Sequence, residues 1–97
     1  MDITKVRELI SICEECDGDE DDFVEILNIF LNLDMSHEEW LKGTMGGTLD
    51  SRIIRYWRLG YVLVPPSTME NVCGLIYEQA LVIVRELGKD RSHLKSV

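Results

Sequence analysis

Apolar residues recur at spacings of three and four along most of this chain, and short groups of glycine or proline interrupt the pattern. Such spacing places apolar side chains on one face of an α-helix, whereas a half-buried strand requires strict alternation. No segment alternates strongly enough to build a sheet. The pattern therefore predicts an all-α fold, a compact domain of five helices.

Capping residues and helix breakers delimit these helices. Ser36 and Glu39 have the spacing of a capping box at the start of the third helix. Thr48 or Asp50 can cap the fourth, and Gly60 stands where a left-handed residue should end it. The expected helices cover 3–16, 21–33, a short segment from 36 to the glycines at 43–47, 51–59, and 67–87.

The length of 97 residues allows one domain with one core. A content of 45% hydrophobic and 29% charged residues is typical of globular proteins. Within the single domain, 1–97, we distinguish an acidic N-terminal helix and loop (1–20), a helix-turn-helix core (21–88) and a polar tail (89–97). The tail is expected to fray.

The charge distribution is asymmetric. A net charge of -8 would by itself argue against binding to nucleic acid, because phosphate contacts need Lys and Arg. Residues 1–50, however, contain 14 acidic residues against Lys5, Arg7 and Lys42, whereas residues 51–97 contain four acidic and seven basic residues. Any proposal about a partner must therefore state which half makes the contact.

The sequence also indicates a compartment. No apolar run approaches the roughly 20 residues that span a bilayer, and no signal peptide is recognisable. Three cysteines cannot form a closed disulfide framework. We therefore expect a cytoplasmic protein with no membrane association.

The third helix, the glycine-containing turn and the fourth helix predict a helix-turn-helix at about 36–59, in which the second helix is presented to the major groove of DNA. Arg52, Arg55 and Arg58 recur every third residue, which gathers them broadly on one side of that helix. Arginine can contact guanine O6 and N7 together or bind phosphates. Ser51 and Thr48 at the helix start can add phosphate contacts. These five residues are the candidate DNA-binding site.

Three stretches resemble the lambda-repressor-like (XRE) helix-turn-helix superfamily: Leu33-Asp34-Met35-Ser36, then Ser51-Arg52-Ile53-Ile54-Arg55-Tyr56-Trp57-Arg58-Leu59-Gly60, then Val64-Pro65-Pro66. The similarity is to small bacterial and phage regulators and covers roughly residues 23–80. It implies a five-helix DNA-binding fold, usually dimeric, that acts as a transcriptional repressor or autoregulator. The connection at 44–48 is several residues longer than the family's usual tight turn.

The resemblance also implies roles by position. Ser51, Arg52 and Arg55 would face DNA, and Trp57 would pack beneath the recognition helix. Gly60 and Pro65 would shape the loop that follows.

A second class of function uses the acidic half. Small acidic helical proteins can cover a basic surface, as inhibitors, immunity proteins, antitoxins and DNA mimics do. The two hypotheses use opposite faces, so charge reversal on each face separately distinguishes them. The candidate protein-binding residues are Glu14, Glu15, Asp19, Glu20, Asp21 and Asp22.

Metal sites and catalysis find little support in the sequence. Cys13 and Cys16 have the spacing of zinc and redox sites, with Cys73, His37 and His93 as conceivable ligands, but a second paired motif is missing. A partial calcium-loop pattern at 17–28 lacks the glycine and glutamate that such a loop requires. No phosphate-binding glycine loop, no nucleophile elbow, and no histidine with an identifiable acid partner and nucleophile is present. We predict no metal, no cofactor and no enzymatic activity.

The fifth helix is apolar on more than one face between residues 72 and 87. Such a helix is either central or part of an interface. Because small DNA readers commonly use two copies to read two half-sites, we predict a homodimer through this helix.

Overall fold

The computed structural model describes residues 1–16 and 18–95, with the backbone alone from residue 88 onward. The described residues form five α-helices and no strand, which confirms the predicted all-α, five-helix fold. The helices are α1 (Ile3–Glu15), α2 (Glu20–Leu33), α3 (Ser36–Thr44), α4 (Ser51–Arg58) and α5 (Pro66–Lys95).

Helix α2 is the centre of the fold, since it packs against each of the other four helices. Its broad apolar face makes this possible, because five of its side chains are buried at three- and four-residue spacing. α1 and α5 also pack against each other. The buried residues of α2 are Phe23, Ile26, Leu27, Phe30 and Leu31.

Aromatic contacts attach α3 and α4 to α2. Phe23 meets Trp57 of α4 edge to face, with ring centroids 5.3 Å apart. Phe30 stacks on His37 of α3 at 4.3 Å and meets Trp40 edge to face at 5.5 Å. The buried His37 ring also places Nδ1 2.8 Å from the Phe30 carbonyl oxygen. A carbonyl oxygen can only accept, so Nδ1 carries the proton in this hydrogen bond.

Aspartates cap four of the helices. Asp2 accepts a hydrogen bond from the Thr4 amide, Asp19 from the Asp21 amide and Asp50 from the Ile53 amide. At α3 the predicted capping box is wrong. Asp34 Oδ1 accepts from both the Ser36 amide (2.9 Å) and the Ser36 hydroxyl (2.8 Å), so the carboxylate displaces the serine from the capping role.

Helix α5 is longer than the sequence pattern predicts. It begins at Pro66, where a proline at the first helical position loses no hydrogen bond, and it continues to Lys95. The predicted end near Gly88 is wrong, because one glycine costs only about 1 kcal/mol relative to alanine inside a helix. The predicted polar tail is therefore helical over 89–95, and its last two residues lie outside the described part of the chain.

Candidate nucleic-acid interface

Helix α4 is a short helix with two well-defined ends. Asp50 Oδ1 accepts from the Ile53 amide at 2.9 Å and so caps the start. At the other end, the Gly60 amide donates to the Trp57 carbonyl and the Tyr61 amide to the Tyr56 carbonyl. Together with the positive φ of Gly60, 99°, these two bonds form a Schellman motif. The predicted helix-ending role of Gly60 is confirmed.

The buried face of α4 anchors it to the core. Ile54 and Trp57 are buried, with Ile53 partly buried beside them. The opposite face is exposed and carries Arg52, Arg55 and Tyr56. Because the helix has buried anchors and fixed ends, it holds these three exposed side chains on a rigid support.

The side chains of Arg52 and Arg55 make no hydrogen bond or ion pair within the described part of the chain. Ion pairs in that part of the chain join Lys5 to Glu8 and Lys42 to Glu38 and Glu39, and none of these involves Arg52 or Arg55. The surrounding sequence explains this isolation, because residues 51–69 contain three arginines and no acidic residue. Both guanidinium groups are therefore available to an external anion.

Arg58 is oriented differently. Its Nε donates to Asn28 Oδ1 and its second guanidinium nitrogen to Asn32 Oδ1, both at 2.7 Å. Asn28 in turn donates through Nδ2 to the Arg58 carbonyl oxygen at 3.1 Å. The structure thus separates Arg58 from Arg52 and Arg55, because the last turn of α4 lies against the outer side of α2.

The two hydroxyl groups of the predicted site already have partners. Ser51 Oγ accepts from Lys42 Nζ at 2.8 Å and lies 3.4 Å from Glu38 Oε2, so it links the start of α4 to α3. Thr48 Oγ1 donates to the Met45 carbonyl at 2.8 Å. Both residues are exposed, but a phosphate would have to compete with these internal contacts.

Helices α3 and α4 follow each other in the chain and both pack on α2. Residues 45–50 connect them, and Gly46 and Gly47 adopt positive φ values of 67° and 82° within this connection. This loop is longer than the tight turn of the resembled family. The helix-turn-helix at 36–59 stays a prediction.

An exposed apolar surface adjoins the arginines, and the sequence analysis did not anticipate it. Tyr61 is 66% exposed and Leu63 is 95% exposed. With Tyr56, Ile53 and Val64 they line an open groove of about 520 Å³. The signal that the sequence analysis missed is the alternation of side chains over residues 61–64, in which Val62 is buried and Tyr61 and Leu63 are exposed.

The acidic residues proposed for protein binding lie around the junction of α1 and α2. Five of the six are exposed and Asp22 is half-buried. Two already have internal roles, since Asp19 caps α2 and Glu14 accepts from the Tyr77 hydroxyl at 3.2 Å. Burial, together with the nearby Glu14 carboxylate, raises the pKa of Tyr77.

The three cysteines lie around one cavity beside the junction of α1 and α2. Cys13 and Cys16 of the first helix region and Cys73 of α5 line one cavity of about 440 Å³. Burial is the main cause that raises the pKa of Cys13 to about 11 and the pKa of Cys73 to about 12, and the neighbouring Cys16 is the second cause for both. No group of three His, Cys, Asp or Glu side chains among the described residues is arranged to hold a metal ion.

Comparisons with protein-family models, with curated proteins and with solved structures find no match to this chain. Within the described residues, no helix combines the length and apolar character needed to cross a membrane.

Proposed function

We propose that the protein binds double-stranded DNA through the exposed face of α4 and regulates transcription by occupying its site. The observation that carries this proposal is the pair of arginines, Arg52 and Arg55. They are exposed and unpaired among the described residues of a chain with an excess of acidic groups. Solvent-exposed arginines without internal partners are the usual phosphate and guanine contacts of DNA-binding helices.

The dimensions of α4 suit the major groove. Eight residues at a rise of 1.5 Å give a helix about 12 Å long, comparable with the groove width of about 12 Å. Tyr56 lies on the same exposed face and offers a hydroxyl to a phosphate oxygen and a ring to a thymine methyl group. Arg58 is omitted from the proposed contact because its guanidinium is held by α2.

Two arginines alone contribute little electrostatic free energy to DNA binding, and the acidic half of the chain opposes that binding. A homodimer would double the number of contacts and turn two copies of α4 towards two half-sites. Leu81 and Val82 of α5 are 38% and 40% exposed, which supplies apolar surface on the helix proposed to form the dimer.

Fluorescence anisotropy tests this proposal. A labelled duplex from upstream of the protein's own gene is titrated at several salt concentrations with the native protein and with Arg52→Ala/Arg55→Ala. Lys5→Ala/Arg7→Ala is the matched control, because it removes the same charge from exposed positions on α1. We expect saturable binding that prefers this duplex to a scrambled one and that the control retains.

The salt dependence gives a second criterion. Each phosphate contact contributes about 0.9 to the slope of log K against log salt, so the α4 variant should lose up to about 2 from that slope per bound copy. Equal weakening by both double variants would show a non-specific charge effect and contradict the proposal. Absence of binding by folded protein at low salt would contradict it as well.

A second candidate is capture of a basic protein by the acidic residues of the α1–α2 junction. It is favoured by the exposure of Glu15 and Glu20, neither of which forms an ion pair within the described residues. The test is a pull-down with mass-spectrometric identification of the partner. Capture should be lost with Glu15→Lys/Glu20→Lys and retained with Arg52→Ala/Arg55→Ala, and the reverse pattern would contradict this function.

A further inference from the structure

Exposed apolar side chains are concentrated around one groove beside α4. Of the eight large apolar side chains that are exposed in the described part of the chain, four lie within residues 56–63. A contiguous apolar patch of this kind on a protein surface often marks a binding site. We call this surface the α4 groove, and its lining residues are Ile53, Tyr56, Trp57, Tyr61, Leu63 and Val64.

The two walls of the α4 groove are held in place by the core. On the helix side, Trp57 is buried and contacts Phe23 of α2. On the other side, the Tyr61 amide donates to the Tyr56 carbonyl oxygen at 2.9 Å, and the buried Val62 anchors the extended residues 61–64. The groove is therefore formed before a ligand arrives, which lowers the entropic cost of binding.

A second open cavity continues the α4 groove. It has a volume of about 550 Å³, and Ile53, Trp57 and Val64 line both spaces. Met45 and Leu49 add further apolar lining at its far side. The joined surface is thus elongated, which suits an extended apolar chain.

The rim of the α4 groove carries polar groups that can receive an anion. Arg52 precedes Tyr56 by four residues, so the two side chains lie on the same side of α4. The Arg52 guanidinium and the hydroxyls of Tyr56 and Tyr61 make no hydrogen bond within the described residues, and residues 51–69 contain no acidic residue. Arg55 directly precedes Tyr56 and is turned about 100° away from it around the helix.

Size and charge together select the occupant. A volume of about 520 Å³ lies within the usual range of small-molecule sites, about 300–1,000 Å³. The six lining residues are far fewer than the roughly 20–30 residues on each side of a stable protein interface. A second copy placed groove to groove would bring two unpaired Arg52 guanidinium groups together, and their charges repel. A small apolar molecule with one negative charge avoids both difficulties.

We propose that the α4 groove binds a medium-chain fatty acid, with its alkyl chain against the apolar lining and its carboxylate on Arg52. The exposed rings of Tyr56 and Tyr61 and the side chain of Leu63 leave water when the chain binds, which supplies the apolar part of the affinity. A guanidinium can donate two parallel hydrogen bonds to one carboxylate. The two tyrosine hydroxyls can donate to the same group.

The experiment is an NMR titration of the ¹⁵N-labelled full chain with three ligands that share one alkyl chain. They are decanoate, which is anionic, decanol, which is uncharged, and decyltrimethylammonium, which is cationic, each below its micelle concentration. We expect decanoate to shift the amide signals of residues 53–64 and to bind at least about threefold more tightly than decanol. Decyltrimethylammonium should bind this groove most weakly, although the acidic chain as a whole attracts cations.

The length of the alkyl chain gives a second criterion. Octanoate, decanoate and dodecanoate differ only in methylene groups, and each buried methylene should tighten binding about twofold to fourfold. An affinity that does not change along this series would contradict binding of the chain in the groove.

Two matched pairs of variants test the residues. Arg52→Gln should lower the decanoate affinity to that of decanol and leave decanol binding unchanged, whereas Arg55→Gln, an equal loss of charge on the same helix, should retain the preference for decanoate. Leu63→Ala should weaken all three ligands about twofold or more, whereas Leu59→Ala should not, because Leu59 is exposed but does not line the groove. All four positions are exposed, and the dispersion of each NMR spectrum verifies folding.

Every measurement uses the protein and the ligand alone, so the result does not depend on DNA binding. Absence of shifts in the groove, equal affinities for decanoate and decanol, or equal losses with Arg52→Gln and Arg55→Gln would each overturn the proposal. Groove signals that shift with protein concentration in the absence of ligand would assign this surface to a second copy and overturn it as well.

Discussion

The basic segment at 51–69 and the acidic junction at 13–22 carry opposite charges, yet both use part of that charge internally. In the basic segment Arg58 is bound by two asparagines, while Arg52 and Arg55 are free of partners within the described residues. In the acidic junction Asp19 caps a helix. Net charge in a segment therefore overstates the charge that an external partner can reach.

The two regions differ in how they hold their charged groups. A carboxylate at a helix start needs only the backbone amides of its own helix, which are always present there. The arginines of α4 have no acidic residue within their own helix and need oxygen atoms from another element; of these three, only Arg58 lies where α2 offers them. Helix starts in the acidic half thus use their carboxylates locally, whereas arginines are used internally only where the tertiary structure permits.

The largest expected effect comes from removing the anchor that joins the basic segment to the beginning of α2. Trp57 is 3% exposed and contacts Phe23, the residue after the acidic run. Trp57→Ala should lower the free energy of unfolding by about 3–5 kcal/mol, because it leaves a large cavity. Urea denaturation measures this change.

Tyr56→Ala is the control for that prediction. Tyr56 is adjacent in sequence but 52% exposed, so its loss should change stability by less than about 1 kcal/mol. Similar losses for the two variants would mean that α4 is not held by its buried face.

A smaller effect on stability should separate Arg58 from Arg55. Arg58→Ala removes two hydrogen bonds from a guanidinium to neutral amides and should cost about 1–2 kcal/mol in urea denaturation. Arg55→Ala should cost less than about 0.5 kcal/mol, because Arg55 is exposed. Equal costs would show that the difference between bound and free arginines has no energetic basis.

The smallest effect concerns the carboxylate that caps α3. The amide and hydroxyl of Ser36 hold the pKa of Asp34 below its ordinary value of 3.8. A lowered folded-state pKa stabilises the fold above that ordinary value, and the stabilisation is lost as the pH falls through the lower folded-state pKa. Asp34→Ala should therefore lower Tm at pH 7 and have a diminishing effect in strong acid.

Ser36→Ala provides the comparison, because it removes only the hydroxyl bond and leaves the amide bond to Asp34. Its Tm should fall less than that of Asp34→Ala at pH 7. A larger fall in Tm for Ser36→Ala would instead support the capping box that the sequence predicts.

Much of the fold was predictable because helix formation depends on nearby residues. The spacing of apolar side chains in α2, the cap at Asp50 and the end of α4 at Gly60 all follow from contacts within a few positions. The same local reasoning failed at Ser36, where the Asp34 carboxylate binds both the amide and the hydroxyl of that serine, and at Gly88, where a weak breaker lies within a long helix.

The candidate site was predictable only in part. Arg52 and Arg55 lie on the exposed face as the spacing indicates, but three-residue spacing does not show that Arg58 meets α2. The apolar groove at Tyr61 and Leu63 arises from two segments that are not both helical, so a helical pattern could not reveal it.

The sequence by itself determined the all-α class, the five helical segments and the charge asymmetry, since these depend on residue type and short-range spacing. The tertiary structure decided which charges have internal partners and placed Cys73 at the cavity that Cys13 and Cys16 line, because both results require elements far apart in the chain to pack together. Such packing depends on how whole helical faces fit around α2, and no short stretch of sequence contains that information.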